Sequence, residues 1–195
     1  VPRMILEHKL PTVLTASEID RLLDAVDDIK YKAMFAVMYS SGMRVSEVIH
    51  LHYDDISRSN MQIHVRDTKN RMDRYTILSK RCLDILTQYW FAYHKPVDWL
   101  FPKQRDKSQP IDTFYLSRHI HEHERRLGWP ERITCHSFRH AFGTHLYENG
   151  ADLLTIQAYL GHKSLASTSI YVHLATNSMH KAVSPFDMMG GDFLA

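Results

Sequence analysis

Cysteine is scarce in this sequence, the net charge is small, and each of these shortages excludes a class of protein. Of 195 residues only Cys82 and Cys135 are cysteines, and their unrelated contexts support neither a disulfide scaffold nor a zinc ribbon. We expect both thiols to be buried, as free cysteines usually are. A net charge of +2 neither indicates nor excludes nucleic-acid binding, because such binding depends on where the charges lie.

Long apolar runs are also missing. No stretch approaches the roughly 18 apolar residues that cross a bilayer, and the first residues lack the apolar core of a signal peptide. We therefore expect a cytoplasmic protein with no membrane partner. The chain starts at Val1 rather than at a methionine, which suggests that further sequence precedes it.

The composition that is present fits one globular domain. Hydrophobic residues make up 44% and charged residues 24% of the chain. Basic residues cluster within 69–74, 103–107 and 125–132, and 14 histidines can add positive charge below about pH 6.5. Because the composition shifts only near Ser184 and Pro185, we expect one domain over 1–183 and a C-terminal tail over 184–195.

Apolar residues recur mainly at helical spacing. Thr15 and Glu18 form a capping-box pattern before a helix over about 16–26. Further helices are predicted over about 30–39, 80–93, 113–127, 137–148, 153–160 and 166–173. A short helix should follow Arg44, and apolar residues alternate at 61–65 and 75–77 around a basic hairpin tip. The predicted fold class is mainly α with a small antiparallel β-sheet (α+β).

The helix over 137–148 has two different faces on a helical wheel. The face expected to meet the core holds Phe138, Phe142, His145 and Leu146. The opposite face holds His136, Arg139, His140 and Gly143. Since glycine has no side chain, Gly143 could let a phosphate backbone approach this polar face. A solvated helix face would show the same pattern.

Tyr171 gains its interest from the residues that precede it. Gly161 should end one helix and hold His162 on the turn that follows, and Ser164 can cap the helix that carries Tyr171. The residues upstream of the tyrosine that carry or can gain positive charge are Arg44, Lys69, His136, Arg139 and His162. Such groups can neutralise a phosphorane while a phenol attacks a phosphodiester, so this order predicts an enzyme that cuts and rejoins DNA.

Five motifs together resemble the catalytic domain of the tyrosine recombinases, the phage integrase family. They are Gly42 to Glu47, Lys69 with Arg74 and Leu78, His136 to His140, Leu160 to His162, and Ile170 to His173. The resemblance covers nearly the whole chain from Leu14, and residues 11–15 and 184–187 also resemble the integron integrase branch. Cys135 stands where many members have proline, and Thr68 and Asn70 stand where glycines often flank the lysine. Lys80 and Arg71 also lie near the hairpin, so the choice of lysine stays open.

The resemblance implies the tyrosine recombinase catalytic-domain fold and a role for each site residue. Tyr171 would attack the scissile phosphate, giving a 3′-phosphotyrosyl link and a free 5′-hydroxyl. Arg44 and Arg139 would hold the nonbridging oxygens, and Lys69 would protonate the leaving 5′-oxygen. His136 and His162 would support proton transfer or bind the phosphorane.

The same resemblance implies a site-specific recombinase or integrase that acts on double-stranded DNA without a metal or other cofactor. It would assemble as a homotetramer on paired DNA sites, or remain a monomer without DNA. The N-terminal core-binding domain that is usual in the family has no counterpart here, and the C-terminal tail would be exchanged between protomers. Two alternatives remain: a type IB topoisomerase-like nicking-closing enzyme, and a catalytically silent DNA-binding regulator with the same fold.

Three further sequence patterns predict local features outside the five motifs or beside them. Glu47 is expected to orient an arginine. His119 and His123 are four residues apart and could share a zinc ion, but no matching second ligand pair exists, which favours a solvated helix face. Residues 103–107, with three basic side chains, are expected to form a mobile loop that touches DNA phosphates.

Overall fold

Eight α-helices and three strands make up the part of the chain that the computed structural model describes, residues 13–66, 73–130 and 132–175. The helices are α1 (Ala16–Ala25), α2 (Ile29–Ser41), α3 (Val45–Ile49), α4 (Lys80–Ala92), α5 (Thr113–Arg126), α6 (Cys135–Glu148), α7 (Leu153–Leu160) and α8 (Ile170–Leu174). The strands are β1 (Ile56–Ser57), β2 (Gln62–Val65) and β3 (Arg74–Ile77). This confirms the predicted fold class.

Polar caps fix the first helices where the sequence places them. The Thr15 hydroxyl accepts from the Glu18 amide at 3.2 Å, and the Glu18 carboxylate accepts from the Thr15 amide at 2.9 Å. Asp28 caps α2 by accepting from the Lys30 amide at 2.8 Å. The helix α2 ends at Gly42, whose φ of 65° is the left-handed conformation expected of a glycine cap.

The sheet is antiparallel in the order β1-β2-β3, with Ile63 opposite Thr76 in the register. Strand β1 was not predicted, because two residues are too few to show alternation. Ile63 and Val65 face the core as expected, but in β3 the buried residue is Thr76, while Tyr75 is exposed. The Thr76 hydroxyl donates to the Ser41 carbonyl at 2.7 Å, which satisfies it inside the core. The tip of the hairpin lies outside the described residues.

Helix α2 runs through the centre of the main core and is buried on nearly every side. It packs against α4 and α6, where the rings of Phe35 and Phe138 stack with centroids 5.4 Å apart. Cys82 and Cys135 are buried and form no disulfide, as predicted. A smaller apolar cluster of Phe142, Ile156, Leu160 and Tyr171 joins α6, α7 and α8.

The last predicted helix is broken in two. A 3-10 turn at Leu165–Ser167 precedes α8, so a single helix over 166–173 is wrong. The Ser164 hydroxyl meets that of Ser167 at 3.2 Å and, among the described residues, caps no helix. The reason is the run of small hydroxylated residues after 163, whose side chains compete with helical backbone bonds. Thr168, buried within this run, turns its hydroxyl toward His162.

The histidine-rich face of α5 is not fully solvated, which corrects the expectation for it. His123 and Glu124 are buried, and Glu124 accepts from the amides of Arg132 and Ile133 at 2.9 and 2.7 Å. The ring of His119 stacks on Tyr31 at 3.5 Å between centroids. Across the described ranges, no group of three or more histidine, cysteine or acidic side chains is placed to hold a metal ion.

Two other features complete the fold. None of the helices in the described residues has the length and apolar character needed to cross a membrane. The basic loop after Pro102 is exposed, and its backbone is closed where the Lys103 amide donates to the Gln109 carbonyl at 2.8 Å. Its contact with DNA stays a prediction.

Candidate active site

Arg44 lies where α2 turns into α3. Gly42 ends α2, and Arg44 is the residue immediately before the first turn of α3. Its backbone amide donates to Glu47 Oε2 at 2.7 Å, and its Nη1 donates to Glu47 Oε1 at 2.9 Å. The side chain remains 40% exposed.

Arg139 is the buried arginine of the site, and it joins the ends of two helices. Its Nη1 donates to the Gly42 carbonyl and its Nη2 to the Leu160 carbonyl, both at 2.7 Å. These carbonyls lie at the C-terminal ends of α2 and α7, where backbone acceptors lack helical partners. Burial and the neighbouring Arg44 lower the pKa of Arg139 to about 10, so it remains charged at neutral pH.

His162 follows the left-handed Gly161 that ends α7, as the sequence predicts. Its Nδ1 lies 2.9 Å from the Thr168 hydroxyl, and its carbonyl accepts from Gln157 Nε2 at 3.1 Å. Burial lowers the pKa of His162 to about 4, with further contributions from Arg139 and Arg44. The imidazole is therefore neutral at physiological pH.

Tyr171 is enclosed between His162 and α6, with only 1% of its surface exposed. The rings of Tyr171 and His162 are parallel within 4°, with centroids 6.3 Å apart. A Cβ on Gly143 would lie 2.4 Å from the Tyr171 Cζ, so the missing side chain makes room for the phenol. The expectation that a phosphate backbone approaches Gly143 is thus wrong, because the tyrosine ring fills that space.

The charges around Tyr171 act on its phenol in opposite directions. Burial raises the pKa of Tyr171, while Arg139 and Arg44 partly offset that rise. Desolvation disfavours the phenolate, whereas a nearby cation favours it. Both arginines therefore favour negative charge on the Tyr171 oxygen.

The structure brings four of the six predicted residues together: Arg44, Arg139, His162 and Tyr171. His136 is exposed near the start of α6, one turn before His140, whose ring centroid is 6.4 Å from that of Tyr171. Lys69 and Arg71 lie outside the described residues. Lys80 begins α4 and lies 3.5 Å from Asp84, so it pairs within that helix.

Glu47 contacts two arginines, Arg44 and Arg74, of which the sequence predicts only one as a partner. Glu47 binds Arg44 as expected, but it also accepts from Arg74 Nη1 and Nη2 at 2.8 and 2.9 Å. Burial alone would raise the pKa of Glu47, but its hydrogen bonds to Arg74 and Arg44 lower it. Arg74 was noted only as part of the hairpin motif, since its distant partners leave no local signal.

Comparison with known proteins agrees with this arrangement. The model of the phage integrase family matches residues 12–178, and the chain belongs to this family, the tyrosine recombinases. The protein y4eF of Sinorhizobium fredii is 40% identical over 184 residues, which cover 93% of the chain and 72% of y4eF.

Two solved structures share the fold. The crystal structure of XerA recombinase has a TM-score of 0.79 at 31% identity, over 88% of this chain and 64% of that one. XerH recombinase, in a post-cleavage complex with its palindromic difH substrate, has a TM-score of 0.76 at 25% identity, over 92% and 54%. The chain thus spans roughly half to two thirds of these two recombinases.

Proposed function

We propose that the chain is the catalytic part of a site-specific DNA recombinase or integrase that works through a covalent 3′-phosphotyrosyl intermediate. The observation that carries the proposal is the packing of Tyr171 against His162 within the influence of Arg44 and Arg139. A phenol beside two guanidinium groups and a neutral imidazole suits attack on a phosphodiester. Membership of the phage integrase family supports the same chemistry.

The two arginines would bind the phosphate from different positions, one buried and one partly exposed. Arg139 uses one N–H of each terminal nitrogen on a helix-end carbonyl, which leaves its other donors for the nonbridging oxygens. Arg44 is more exposed and anchored through one terminal nitrogen, so it can close onto the phosphate from the solvent side. Fixed cations of this kind stabilise the charge that grows on the phosphorane.

In the proposed step, the Tyr171 oxygen forms a bond to phosphorus while the bond from phosphorus to the 5′-oxygen breaks. The phenol gives up its proton, which the neutral His162 can accept through the ring nitrogen not engaged by Thr168. Lys69 is the proposed donor of a proton to the leaving 5′-oxygen, and His136 the proposed additional ligand of the phosphorane. Attack by a 5′-hydroxyl reverses the step and rejoins the DNA.

The proposal includes the assembly in which the chain works. Double-stranded DNA is the proposed substrate, which the XerH complex with its palindromic difH substrate supports. Four protomers on paired sites would complete a recombination. The match to the family covers residues 12–178, which lie within the proposed catalytic unit over about 1–183. The proposed tail over 184–195 would dock on a neighbouring protomer. A cytoplasmic location and a reaction without metal or cofactor belong to the same proposal.

A suicide duplex tests the covalent step. The duplex is first selected by binding from a random pool. A nick placed shortly after the cleavage point then lets the short fragment with the free 5′-hydroxyl diffuse away, so that the adduct cannot reverse. We expect the wild-type chain to form a denaturation-resistant adduct, Tyr171→Phe to form none, and Tyr115→Phe on the exposed start of α5 to match wild type.

Three outcomes would contradict the proposal. Tight binding without adduct would indicate a silent DNA-binding regulator. Adduct persisting in Tyr171→Phe would place the nucleophile elsewhere. Equal relaxation of supercoiled plasmids with and without the selected sequence would indicate a topoisomerase-like enzyme.

A further inference from the structure

Arg74 joins three separate parts of the site, and two of them are far from it in sequence. It begins β3, directly after the hairpin tip, and its side chain is only 13% exposed. Both terminal nitrogens bind the Glu47 carboxylate, and its Nε donates to the Tyr159 carbonyl at 2.8 Å. One side chain therefore ties the hairpin to α3 and to the end of α7.

The first consequence concerns charge. Glu47 is one carboxylate between two arginines, and its Oε1 accepts from both Arg44 and Arg74. If Arg44 were its only partner, the pair would be electrically neutral and Arg44 would attract a phosphate weakly. With Arg74 bound in the two-pronged geometry, the trio keeps one net positive charge. Because Arg74 is only 13% exposed and Arg44 is 40% exposed, that charge is presented on the Arg44 side.

The second consequence concerns the turn that carries His162. Tyr159 lies in the last turn of α7, where carbonyls have no helical donor, and Arg74 supplies one. The aliphatic part of Arg74 passes so close to Gly161 that a Cβ there would lie 2.9 Å from the Arg74 Cδ. Gly161 is thus needed both for its left-handed φ of 63° and for the passage of Arg74.

We infer that Arg74 is a positioning residue for phosphate binding: it holds Glu47 so that Arg44 stays available, and it fixes the turn from which His162 projects. This inference rests on the proposed function, because it assigns Arg74 to the same phosphate. Its proposed role needs no contact with DNA, since each of its three guanidinium nitrogens already donates to Glu47 or Tyr159.

The test compares Arg74→Lys with wild type on the suicide duplex. Lysine keeps the charge but cannot make the two-pronged contact or reach Tyr159 at the same time. We expect adduct formation to slow by up to about 100-fold, the effect of misplacing a reacting group by about 1 Å. DNA affinity should change much less. The matched control is Arg81→Lys, at an arginine of α4 that is 64% exposed and paired with Asp20.

A second substrate separates positioning from general damage to the fold. A scissile methylphosphonate carries no negative charge on its nonbridging oxygen and therefore depends less on the arginines. The deficit of Arg74→Lys should shrink at least tenfold on this substrate, whereas Arg81→Lys should match wild type on both. A deficit of equal size on the two substrates would overturn the inference that Arg74 keeps Arg44 available, since a loss caused by misfolding or by a displaced His162 would not depend on the charge of the phosphate.

Glu47→Gln provides an independent variant, which also serves if Arg74→Lys does not fold. It should show the same dependence on substrate charge, and the double variant should be no slower than the slower single variant. Additive losses would mean that the two residues act separately and would contradict the inference. The proposed function fails if wild type forms no adduct, whereas this inference fails if wild type forms adduct and Arg74→Lys forms it equally fast.

Discussion

Some side chains in this site both stabilise the fold and contribute to the proposed chemistry, and Arg139 is the clearest example. It is charged at neutral pH yet only 5% exposed. Its two hydrogen bonds connect the ends of α2 and α7, which would otherwise leave the carbonyls of Gly42 and Leu160 unpaired. Removing this arginine therefore affects folding as well as any reaction.

Arg139→Ala should lower the free energy of unfolding by about 3 kcal/mol, because it leaves two buried carbonyls without donors and opens a cavity. Arg44→Ala should cost less than about 1 kcal/mol, since Arg44 is partly exposed and Glu47 keeps Arg74 as partner. Urea denaturation of both variants at pH 7.5 measures the difference. Equal losses would show that the Arg139 hydrogen bonds add nothing to stability.

Residue order in the sequence was enough to predict Arg44, Arg139, His162 and Tyr171, because each belongs to a short motif. Arg74 could not be assigned a role in this way. Its two partners lie 27 and 85 positions away along the chain, so only the folded structure brings them together. Glu47 was predicted as a partner for Arg44 because the two are only three residues apart. Its second partner, Arg74, is 27 positions away, so no local pattern indicates that contact.

At the scale of elements, the packing of α8 on α6 decides where Tyr171 lies. The helical wheel correctly separated Phe138 and Phe142, which pack in the core, from Arg139 and Gly143. It could not show that Arg139 and Gly143 on the second face are also buried, because α8, which packs against Gly143, comes from a distant part of the chain. Helix α8 is only five residues long, so its position depends on packing rather than on its own helical stability.

Gly143→Ala should push the Tyr171 ring away from α6, because the new Cβ would lie 2.4 Å from Cζ. We expect a loss of roughly 1 to 3 kcal/mol in unfolding free energy, the usual range for overpacking, and a large fall in adduct formation. In a Tyr171→Ala background the same substitution should no longer destabilise, because alanine is also the better helix former. A double-mutant cycle in urea measures this coupling, and additive losses would show that the contact is not responsible.

At the scale of the whole molecule, the sequence predicted the fold class, but not which polar side chains are buried. His119 and His123 were expected on a solvated face, because periodicity alone cannot distinguish a polar face that meets solvent from one that meets another element. In the structure, burial lowers the pKa of five histidines: His119, His123, His140, His145 and His162. Burial thus favours the neutral form of these five imidazoles in the folded chain.

These histidines should make the protein sensitive to mild acid. Each has a lower pKa in the folded state than in the unfolded state, so the unfolded chain binds more protons as the pH falls below about 6.5. The contribution of these histidines to the free energy of unfolding is therefore fully present above about pH 6.5 and is lost as the pH falls. For His162 the loss continues to about pH 4, its folded pKa. Carboxylates with a lowered pKa, such as Glu47, add to this loss only at lower pH, below about 4.5.

Urea unfolding at pH 7.5, 6.0 and 4.5 tests this sign and its source. His162 alone should account for roughly 2 kcal/mol of the loss between neutral pH and pH 4.5, so His162→Gln should flatten the dependence by that amount. Leu154→Gln, at an exposed position of α7 without a titratable group, should leave the dependence as it is in wild type. A His162→Gln protein that loses stability as steeply as wild type would show that the site does not hold a neutral imidazole. The proton that His162 is proposed to accept from Tyr171 would then need another acceptor.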